Sequence, residues 1–234
     1  VTGPARVLAR ELAEPLHAAN AAVADGVRAD LARRGLRAVN LLSAPGSGKT
    51  TLLEATARHL AGRFRLGVVE GDLATDRDAA RLRRVGVPAV QVTTGNACHL
   101  DATLVAAALS RLPLAALDVV VVENVGNLVC PAAFDVGAHA SVVMLSVTEG
   151  DDKPAKYPLA FRTADLVVIS KADLAPACDD FAVARAEACV RELGNTAPVL
   201  VLSARGGAGL DAWCRWLTGL RAPPGGALPA AATP

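Results

Sequence analysis

A glycine-rich segment at residues 43–51, with the sequence SAPGSGKTT, could bind a polyphosphate. A strand-like apolar run at 38–42 leads into the segment, and a helix-like run follows it. Gly46 and Gly48 let backbone N–H groups curl around phosphate oxygens, and the N-terminus of the following helix adds positive potential. The usual pattern begins with Gly, whereas this chain has Ser43. The order of strand, loop and helix still favours a phosphate-binding loop over an ordinary glycine-rich turn.

Side chains in and after this loop could hold a magnesium ion beside the phosphates. Lys49 is expected to reach the β- and γ-phosphates, and the Thr50 hydroxyl to bind Mg²⁺. Asp72 and Glu123 each come at the end of an apolar run, where a carboxylate is suited to Mg²⁺, and the N–H of Gly126 could bond a γ-phosphate. An acid after a strand is often only a helix cap, but the phosphate-binding loop favours a nucleotide site for both.

Two later strand ends carry residues that could recognise guanine. Lys171 and Asp173 follow the apolar run that ends at Ser170. A carboxylate accepts hydrogen bonds from both the N1–H and the amino group of guanine, whereas adenine offers an acceptor at N1 and leaves the acid unpaired. The Lys171 stem can pack on the base, and after the last strand Ser203 and Ala204 let a backbone N–H approach the guanine carbonyl. The usual guanine motif has Asn where this chain has Ser170.

A second set of residues points to a soft metal ion. Cys98 and His99 place a thiolate beside an imidazole, and Cys130 lies further along the chain. Zn²⁺ and Ni²⁺ accept both ligand types, although the spacing is also compatible with two loop residues and a buried Cys. Three ligands do not close a tetrahedral structural site, so either an exogenous ligand completes it or two chains share it on a two-fold axis. The remaining cysteines are interpreted as core residues and the remaining histidines as non-ligands: Cys178, Cys189, Cys214, His17, His59 and His139.

Alternating apolar and amphipathic runs predict how these residues are positioned. We predict an α/β P-loop NTPase fold with a mostly parallel sheet of about seven strands flanked by helices, because runs such as Val119–Val122 have no polar face. Ligands are then expected at the carboxyl ends of the strands. The predicted strands are 38–43, 66–70, 88–93, 118–123, 141–147, 165–170 and 198–203, and the predicted helices are 4–34, 49–61, 76–84, 100–111, 154–163, 180–193 and 209–220.

The chain divides into three predicted parts. Residues 1–35 form a helical arm that is interpreted as a packing element, 36–221 form the GTPase domain with its metal site, and the Pro/Gly/Ala-rich residues 222–234 are predicted to be disordered. Because the chain begins at Val1, a preceding segment remains an open question.

Composition excludes several classes of function. The 234 residues carry a formal net charge of +1, which gives no broad basic face for nucleic acid. Neither an apolar run of the ~18 residues that a membrane span needs nor a signal peptide is recognisable. The 5 cysteines are a sparse, odd set, and with a nucleotide site they indicate a cytoplasmic protein with free thiols or metal ligands rather than disulfides.

Taken together, the motifs resemble the HypB family, GTPases that insert nickel during [NiFe]-hydrogenase maturation. The resemblance spans roughly residues 5–220, and its most specific runs are CHLD at 98–101 and ENVGNLVCP at 123–131. The segments SAPGSGKTT, GD at 71–72, TGNACHLD from 94 and SVTEGDDKP from 146 follow in the family's order. The chain lacks the Cys-rich terminal site and the His-rich tract of some members. It also lacks the Cys-Pro-His motif of the urease-accessory GTPases, which rank second.

The resemblance implies a GTP-hydrolysing metallochaperone that forms a GTP-dependent homodimer and delivers nickel. It implies a hydrogenase large subunit and a companion nickel-maturation protein as partners, and GTP or GDP, Mg²⁺, and Ni²⁺ or Zn²⁺ as ligands. The implied catalytic residues are Lys49, Asp72 and Glu123, the magnesium ligands are Thr50, Asp72 and Glu123, and the metal ligands at the dimer interface are Cys98, His99 and Cys130. The implied nucleotide contacts are Gly46, Ser47, Gly48, Lys49, Thr50, Thr51, Gly126, Lys171, Asp173, Ser203 and Ala204.

Two rival functions belong to other classes. A metal buffer with a vestigial nucleotide fold would not need the intact Lys49–Thr50 pair with its two carboxylates. A metabolic kinase could use the same loop, but it would need an acceptor pocket and no guanine-reading residues.

Overall fold

The structure is a computed structural model that describes residues 4–95 and 97–220, with side chains from residue 16 onward. In this part of the chain, one sheet of parallel strands has the order β3-β2-β4-β1-β5-β6-β7. The strands are β1 (Arg37–Ser43), β2 (Leu66–Asp72), β3 (Ala89–Thr93), β4 (Val119–Glu123), β5 (Ala140–Ser146), β6 (Leu166–Ser170) and β7 (Val199–Val201). The predicted parallel α/β fold is therefore confirmed. The tail at 222–234 lies outside the described residues.

Helices cover both faces of the sheet. They are α1 (Pro4–Arg33), α2 (Lys49–His59), α3 (Arg77–Arg84), α4 (Ala102–Leu109), α5 (Cys130–Ala133), α6 (Lys153–Lys156), α7 (Pro158–Arg162), α8 (Val183–Glu192) and α9 (Leu210–Gly219). The predicted helix at 154–163 is wrong as a single element. It is split at Tyr157 because Pro158 has no backbone N–H to continue the first helix and instead begins the second.

The four valines of β4 show why this run has no polar face. Val119 and Val121 pack with α2, α3 and α9, whereas Val120 and Val122 pack on the other side with α1 and α4. Successive side chains of a strand point to opposite faces, so a strand covered on both faces is apolar throughout. None of the helices in the described part is both long and apolar enough to cross a membrane.

The sheet brings the predicted site residues to one edge. Strand β4 lies between β1 and β2, and in this register Glu123 pairs with Leu41 on one side and with Glu70 on the other. Because the strands are parallel, their carboxyl ends share an edge, and the phosphate-binding loop after β1 meets the loops after β2 and β4 there. Asp72 and Glu123 are the last residues of β2 and β4, and the other predicted nucleotide and metal residues follow strands that end at this edge.

Candidate nucleotide and metal sites

The phosphate-binding loop joins β1 to α2. Gly46 and Gly48 have φ angles of 76° and 96°, a left-handed conformation that side chains disfavour. Ser43, where the usual pattern has Gly, accepts a hydrogen bond from the Lys49 ammonium group, with 3.0 Å between Nζ and Oγ. The Ser43 hydroxyl in turn donates to the Ala44 carbonyl. The departure at residue 43 thus gives the lysine an internal partner within the loop.

A carboxylate lies beside the loop threonine. The Thr50 hydroxyl donates to Glu123 Oε1 over 2.8 Å, while Glu123 Oε2 is buried with no hydrogen-bond partner in the described part of the chain. Burial raises the pKa of Glu123 to about 7, against the lowering effects of Lys49 and of the Thr50 hydrogen bond. An unpartnered buried carboxylate oxygen next to a hydroxyl fits a hard cation, which prefers oxygen ligands.

Asp72 belongs to a cluster of acids that sequence reasoning found only in part. One carboxylate oxygen of Asp72 accepts the N–H groups of Ala74 and Thr75. Its carboxylate also lies with those of Glu70 and Asp78, with potential ligand atoms within 4.8 Å of one another. Glu70 is 2% exposed. Burial and the nearby Glu123 and Asp72 charges raise the pKa of Glu70 to about 8. In the sequence, the signal for this cluster was Glu70 itself, a glutamate that follows two valines in β2.

Gly126 lies against the phosphate-binding loop. A Cβ atom at this position would meet the Pro45 backbone at 3.0 Å, so residue 126 has little room for a side chain. The neighbouring Asn127 pairs with Ser43 in an isolated antiparallel bridge. The segment after β4 is therefore attached to the loop that would hold the phosphates.

A cavity of about 240 Å³ extends from the phosphate-binding loop to the predicted guanine residues. Its lining includes Gly46, Ser47, Gly48, Thr51, Lys171, Asp173, Ala204 and Arg205, with Met144, Ser170, Leu174 and Leu202. One continuous cavity therefore joins residues that lie more than 100 positions apart in the sequence. Its mixed polar and apolar lining suits a nucleoside.

Hydrogen bonds hold the residues that are predicted to recognise guanine. Lys171 has a φ of 57°, and within the described residues it is the single non-glycine with positive φ. The Ser170 hydroxyl donates to the Ser47 carbonyl over 2.8 Å, which ties the end of β6 to the phosphate-binding loop. A hydrogen bond from Ser203, with smaller effects of Arg205 and Lys171, holds the pKa of Asp173 below its ordinary value. Asp173 is therefore ionised and can accept hydrogen bonds from a base.

The three predicted metal ligands come together at the same edge of the sheet. Ligand atoms of Cys98, His99 and Cys130 lie within 4.8 Å of one another, with 3.9 Å between Cys98 Sγ and His99 Nδ1. The pKa of Cys130 is raised, first by a hydrogen bond with the Cys98 thiol. Burial lowers the pKa of His99 and so favours the neutral imidazole that binds metals. Two thiols and one imidazole fit Ni²⁺ or Zn²⁺.

Two asparagines connect the metal segment to the nucleotide segment. Asn124, which follows Glu123, accepts the N–H of Leu100 over 3.2 Å, and Leu100 follows His99. The Asn124 amide also donates to Asn40 on β1. Asn127 donates to the Cys98 carbonyl over 3.5 Å. Sequence reasoning missed these contacts because they join residues that are distant in the chain.

The parallel sheet, the glycine-rich loop and the cavity define a P-loop nucleotide-binding domain. The family model for the CobW/HypB/UreG nucleotide-binding domain matches residues 37–201. Similarity extends to "Hydrogenase maturation factor HypB" of Escherichia coli (strain K12), 48% identical over 198 residues, which covers 85% of this chain and 68% of that relative. The chain therefore belongs to the CobW/HypB/UreG family and, within it, to the HypB hydrogenase maturation factors, which confirms the resemblance seen in the sequence.

Another relative and a solved structure support this assignment. "Hydrogenase/urease maturation factor HypB" of Helicobacter pylori (strain 26695) is 46% identical over 177 residues, which covers 74% of this chain and 72% of the relative. The crystal structure of HypB from Helicobacter pylori in complex with nickel superposes with a TM-score of 0.82 at 42% identity and covers 86% of this chain and 94% of that chain. The N-terminal helix and the seven-stranded parallel sheet thus belong to a known fold.

Proposed function

We propose that this protein is a GTP-hydrolysing metallochaperone that binds nickel or zinc and delivers nickel during hydrogenase maturation. The observation that carries the proposal is the convergence of Cys98, His99 and Cys130 at the edge of the sheet that also holds the phosphate-binding loop. A soft ligand set beside a nucleotide cavity suits a protein that couples metal handling to the state of a nucleotide.

The residues at the phosphate end have separate roles in this proposal. Lys49 leaves its internal bond with Ser43 and binds the β- and γ-phosphates. Thr50, Glu123 and Asp72 hold Mg²⁺, which neutralises the charge that develops on the phosphates during hydrolysis. The Glu123 oxygen that lacks a hydrogen bond in the described residues is a ready acceptor for the cation or its water. Gly126 offers its N–H to the γ-phosphate. The phosphates contact the loop from Gly46 to Thr51.

Base selection resides at the other end of the cavity. The ionised Asp173 accepts the N1–H and amino protons of guanine, and the Lys171 stem covers the base. Ser203 and Ala204 complete the pocket beside the guanine carbonyl. Ser170 replaces the usual Asn and stabilises the phosphate-binding loop instead, through its bond to Ser47.

Nickel is the cargo in this proposal, and the clients follow from the relatives. The Helicobacter pylori structure contains nickel, and the Escherichia coli relative is named a hydrogenase maturation factor. We therefore propose a hydrogenase large subunit as the recipient, a companion nickel-maturation protein as a partner and the cytoplasm as the site of action. A homodimer that forms with GTP would supply further ligands, because three ligands leave a metal ion incompletely coordinated.

A urease is the second candidate client. The Helicobacter pylori relative is named for both hydrogenase and urease maturation, and the metal ligands would be the same for either recipient. Delivery of nickel to each purified apo-enzyme would distinguish the two clients.

The proposed function is tested by GTP turnover and metal content measured on the same preparation. We expect phosphate release from GTP that Lys49→Ala abolishes, and bound nickel or zinc with a change of oligomer mass when a non-hydrolysable GTP analogue is added. If wild type releases phosphate from GTP no faster than Lys49→Ala does, while metal binding is intact, the protein is a metal buffer. Equal competition by ATP would contradict the guanine assignment and favour a kinase-like site.

A further inference from the structure

The two segments that carry the metal ligands are joined by one side chain of helix α1. Asn20 Oδ1 accepts the N–H of Ala102 over 2.9 Å, at the start of α4 and shortly after His99. Asn20 Nδ2 donates to the Asp135 carbonyl over 2.8 Å, just beyond the short helix that begins at Cys130. A single amide therefore bridges the segment of Cys98 and His99 to the segment of Cys130.

The first of these bonds completes the N-terminus of α4. The first N–H groups of a helix lack intrahelical partners. Asp101, the N-cap residue, accepts the N–H of Leu104, and Asn20 reaches across from α1 to accept that of Ala102. The direction of α4, and with it the loop that ends at His99, is therefore fixed in part from outside.

Other contacts hold the second segment against α1. Arg28 forms an ion pair with Asp135 over 2.6 Å and donates to the Ala138 carbonyl over 3.0 Å. A Cβ atom on Gly137 would lie 2.6 Å from Val27 Cβ, so the glycine allows the segment to approach the helix closely. The position of residues 134–138 is thus determined by α1.

Aromatic packing brings α1 close to a metal ligand itself. The Phe134 ring stacks on His99, with ring centroids 3.9 Å apart and an interplanar angle of 25°. His17 contacts the same Phe134 ring at 4.7 Å. His17 and Asn20 are three residues apart and so lie on one face of α1. This face is directed at the segments that carry the predicted metal ligands.

We propose that Asn20 is a positioning residue for the metal site and that α1 is more than a packing arm. The inference rests on the proposed metal site. Two cysteines on separate loops bind a metal tightly only if their separation is held before binding, because ordering the loops on binding opposes affinity. Groups that orient ligands in this way change metal affinity when they are removed, although they touch no metal.

The test is nickel titration of the full chain, followed by thiolate-to-nickel charge-transfer absorbance. We expect Asn20→Ala to weaken nickel binding by about 10-fold, at the lower end of the effect of outer-shell groups, and to change the absorbance of the complex. Asn20→Asp keeps an acceptor for the Ala102 N–H but cannot donate to the Asp135 carbonyl. It should therefore bind nickel as weakly as Asn20→Ala.

Asn195→Ala is the matched control. Asn195 also holds other backbone groups, with its amide donating to the Phe161 and Ala164 carbonyls over 2.6 and 2.9 Å. It precedes β7, which is at the opposite edge of the sheet from β3, the strand that Cys98 follows. This variant should lose stability in denaturant and keep wild-type nickel affinity and absorbance. Affinity for a GTP analogue, measured on each variant, confirms that the nucleotide domain is folded.

The outcomes separate the inference from the function on which it rests. Loss of nickel binding in Cys98→Ala together with wild-type binding and absorbance in Asn20→Ala would overturn the role of Asn20 and leave the metal site intact. Wild-type affinity in Asn20→Asp would overturn the bridge between the two segments, since Asn20 would then act through α4 alone. Unchanged nickel binding in Cys98→Ala would instead overturn the metal site. A loss in Asn195→Ala as large as in Asn20→Ala would show that general destabilisation is the cause.

Discussion

In the proposed nucleotide site, the choice of base depends on one ionised side chain, Asp173. Asp173→Asn replaces one carboxylate acceptor by an amide donor that faces the N–H groups of guanine. We expect GTP affinity to fall by at least about 5-fold, because the amide N–H would face the N–H groups of guanine and leave a hydrogen bond unmade. Xanthosine nucleotides should recover part of the loss, since their edge complements an amide. Titration with fluorescent nucleotides measures the affinity for GTP and for the xanthosine nucleotide. Wild-type GTP affinity in the variant would contradict the guanine assignment.

A half-buried histidine, His139, gives the fold a dependence on pH. His139 Nδ1 accepts the N–H of Ala38, and its Nε2 has no hydrogen-bond partner among the described residues. Burial, with Arg37 and Arg28 nearby, lowers the pKa of His139 from 6.5 to about 4. Between these two values the unfolded chain binds the proton and the folded chain does not. The free energy of unfolding contributed by His139 therefore falls as the pH drops from 6.5 towards 4.

The variant His139→Gln, which cannot take up the proton, tests this pH dependence of stability. Wild type should lose more stability than the variant when urea denaturation is compared at pH 7 and pH 5. The comparison with the variant is needed because Glu70, whose pKa is raised to about 8, acts in the opposite direction: its contribution falls as the pH rises from 4.5 towards 8. Equal losses in the two proteins would show that His139 does not titrate as described.

At the scale of elements, the predicted metal ligands lie on the segments after β3 and β4. Cys98→Ala and Cys130→Ala should each reduce the stoichiometry of bound nickel, and metal affinity should weaken at lower pH because thiolates and imidazole must lose protons to bind. Cys178→Ala and Cys189→Ala are controls, since these cysteines lie in other parts of the structure. Metal analysis after dialysis measures the stoichiometry, and equal losses in all four variants would exclude the site.

The segment from Glu123 to Cys130 connects the two sites. Glu123 accepts a hydrogen bond from Thr50. Asn124, the residue after Glu123, accepts the N–H of Leu100, which follows His99. Gly126 lies against the phosphate-binding loop. A segment that orders around a γ-phosphate and relaxes after hydrolysis moves the residues attached to it. The network gives the movement a physical route to both Cys98 and Cys130.

We therefore expect the GTP and GDP states to differ in metal affinity or in metal geometry. By linkage, the metal changes the relative affinity for GTP and GDP by the same factor, and a typical coupling is about 5- to 150-fold. Nickel and zinc titrations of the apo, GDP and GTP-analogue forms measure it by calorimetry. Asn124→Ala should reduce the difference. Identical affinities and spectra in all three forms would mean that the two sites are independent.

Local pattern was sufficient for most of the fold. Each observed strand begins and ends within about two residues of its predicted bounds, because an apolar run between turn signals is a strong signal for a buried parallel strand. Seven of the twelve residues that line the cavity are among the predicted nucleotide contacts, because the motifs that carry them follow strands in a fixed order. The short helix at Cys130 and the break at Tyr157 were missed, since they depend on prolines and on packing rather than on periodicity.

Contacts across the chain could not be predicted in this way. Asn20 is 82 residues from Ala102 and 115 from Asp135, and nothing in the surrounding helix pattern marks it. Glu70 directly follows Val68 and Val69 in β2, and only the sheet order places it beside Glu123. The helical arm was interpreted as packing because an amphipathic pattern shows that a face is covered but not by which residues.

At the scale of the whole molecule, exposed apolar side chains lie close to both sites. Val129, directly before Cys130, is 60% exposed, and Leu73, directly after Asp72, is 48% exposed. Contiguous apolar surface marks sites of protein–protein contact, and each of these two side chains lies next to a residue of the proposed sites. In the proposed GTP-dependent dimer, a second copy would cover them and bring a second set of metal ligands to the first.

Val129→Glu tests this arrangement, because a charge buried without a partner opposes association. We expect a GTP analogue to raise the oligomer mass of wild type from one chain to two, and Val129→Glu to remain a single chain while its affinity for the analogue is retained. Exposed Val201 is the control, because it lies on β7, at the opposite edge of the sheet from β3: Val201→Glu should dimerise as wild type does. Sedimentation with and without nickel measures both effects, and nickel should strengthen association only in chains that dimerise, since two sets of ligands then complete its coordination. A dimer of Val129→Glu with wild-type affinity would place the interface on another surface, and the metal would then have to be completed by an exogenous ligand.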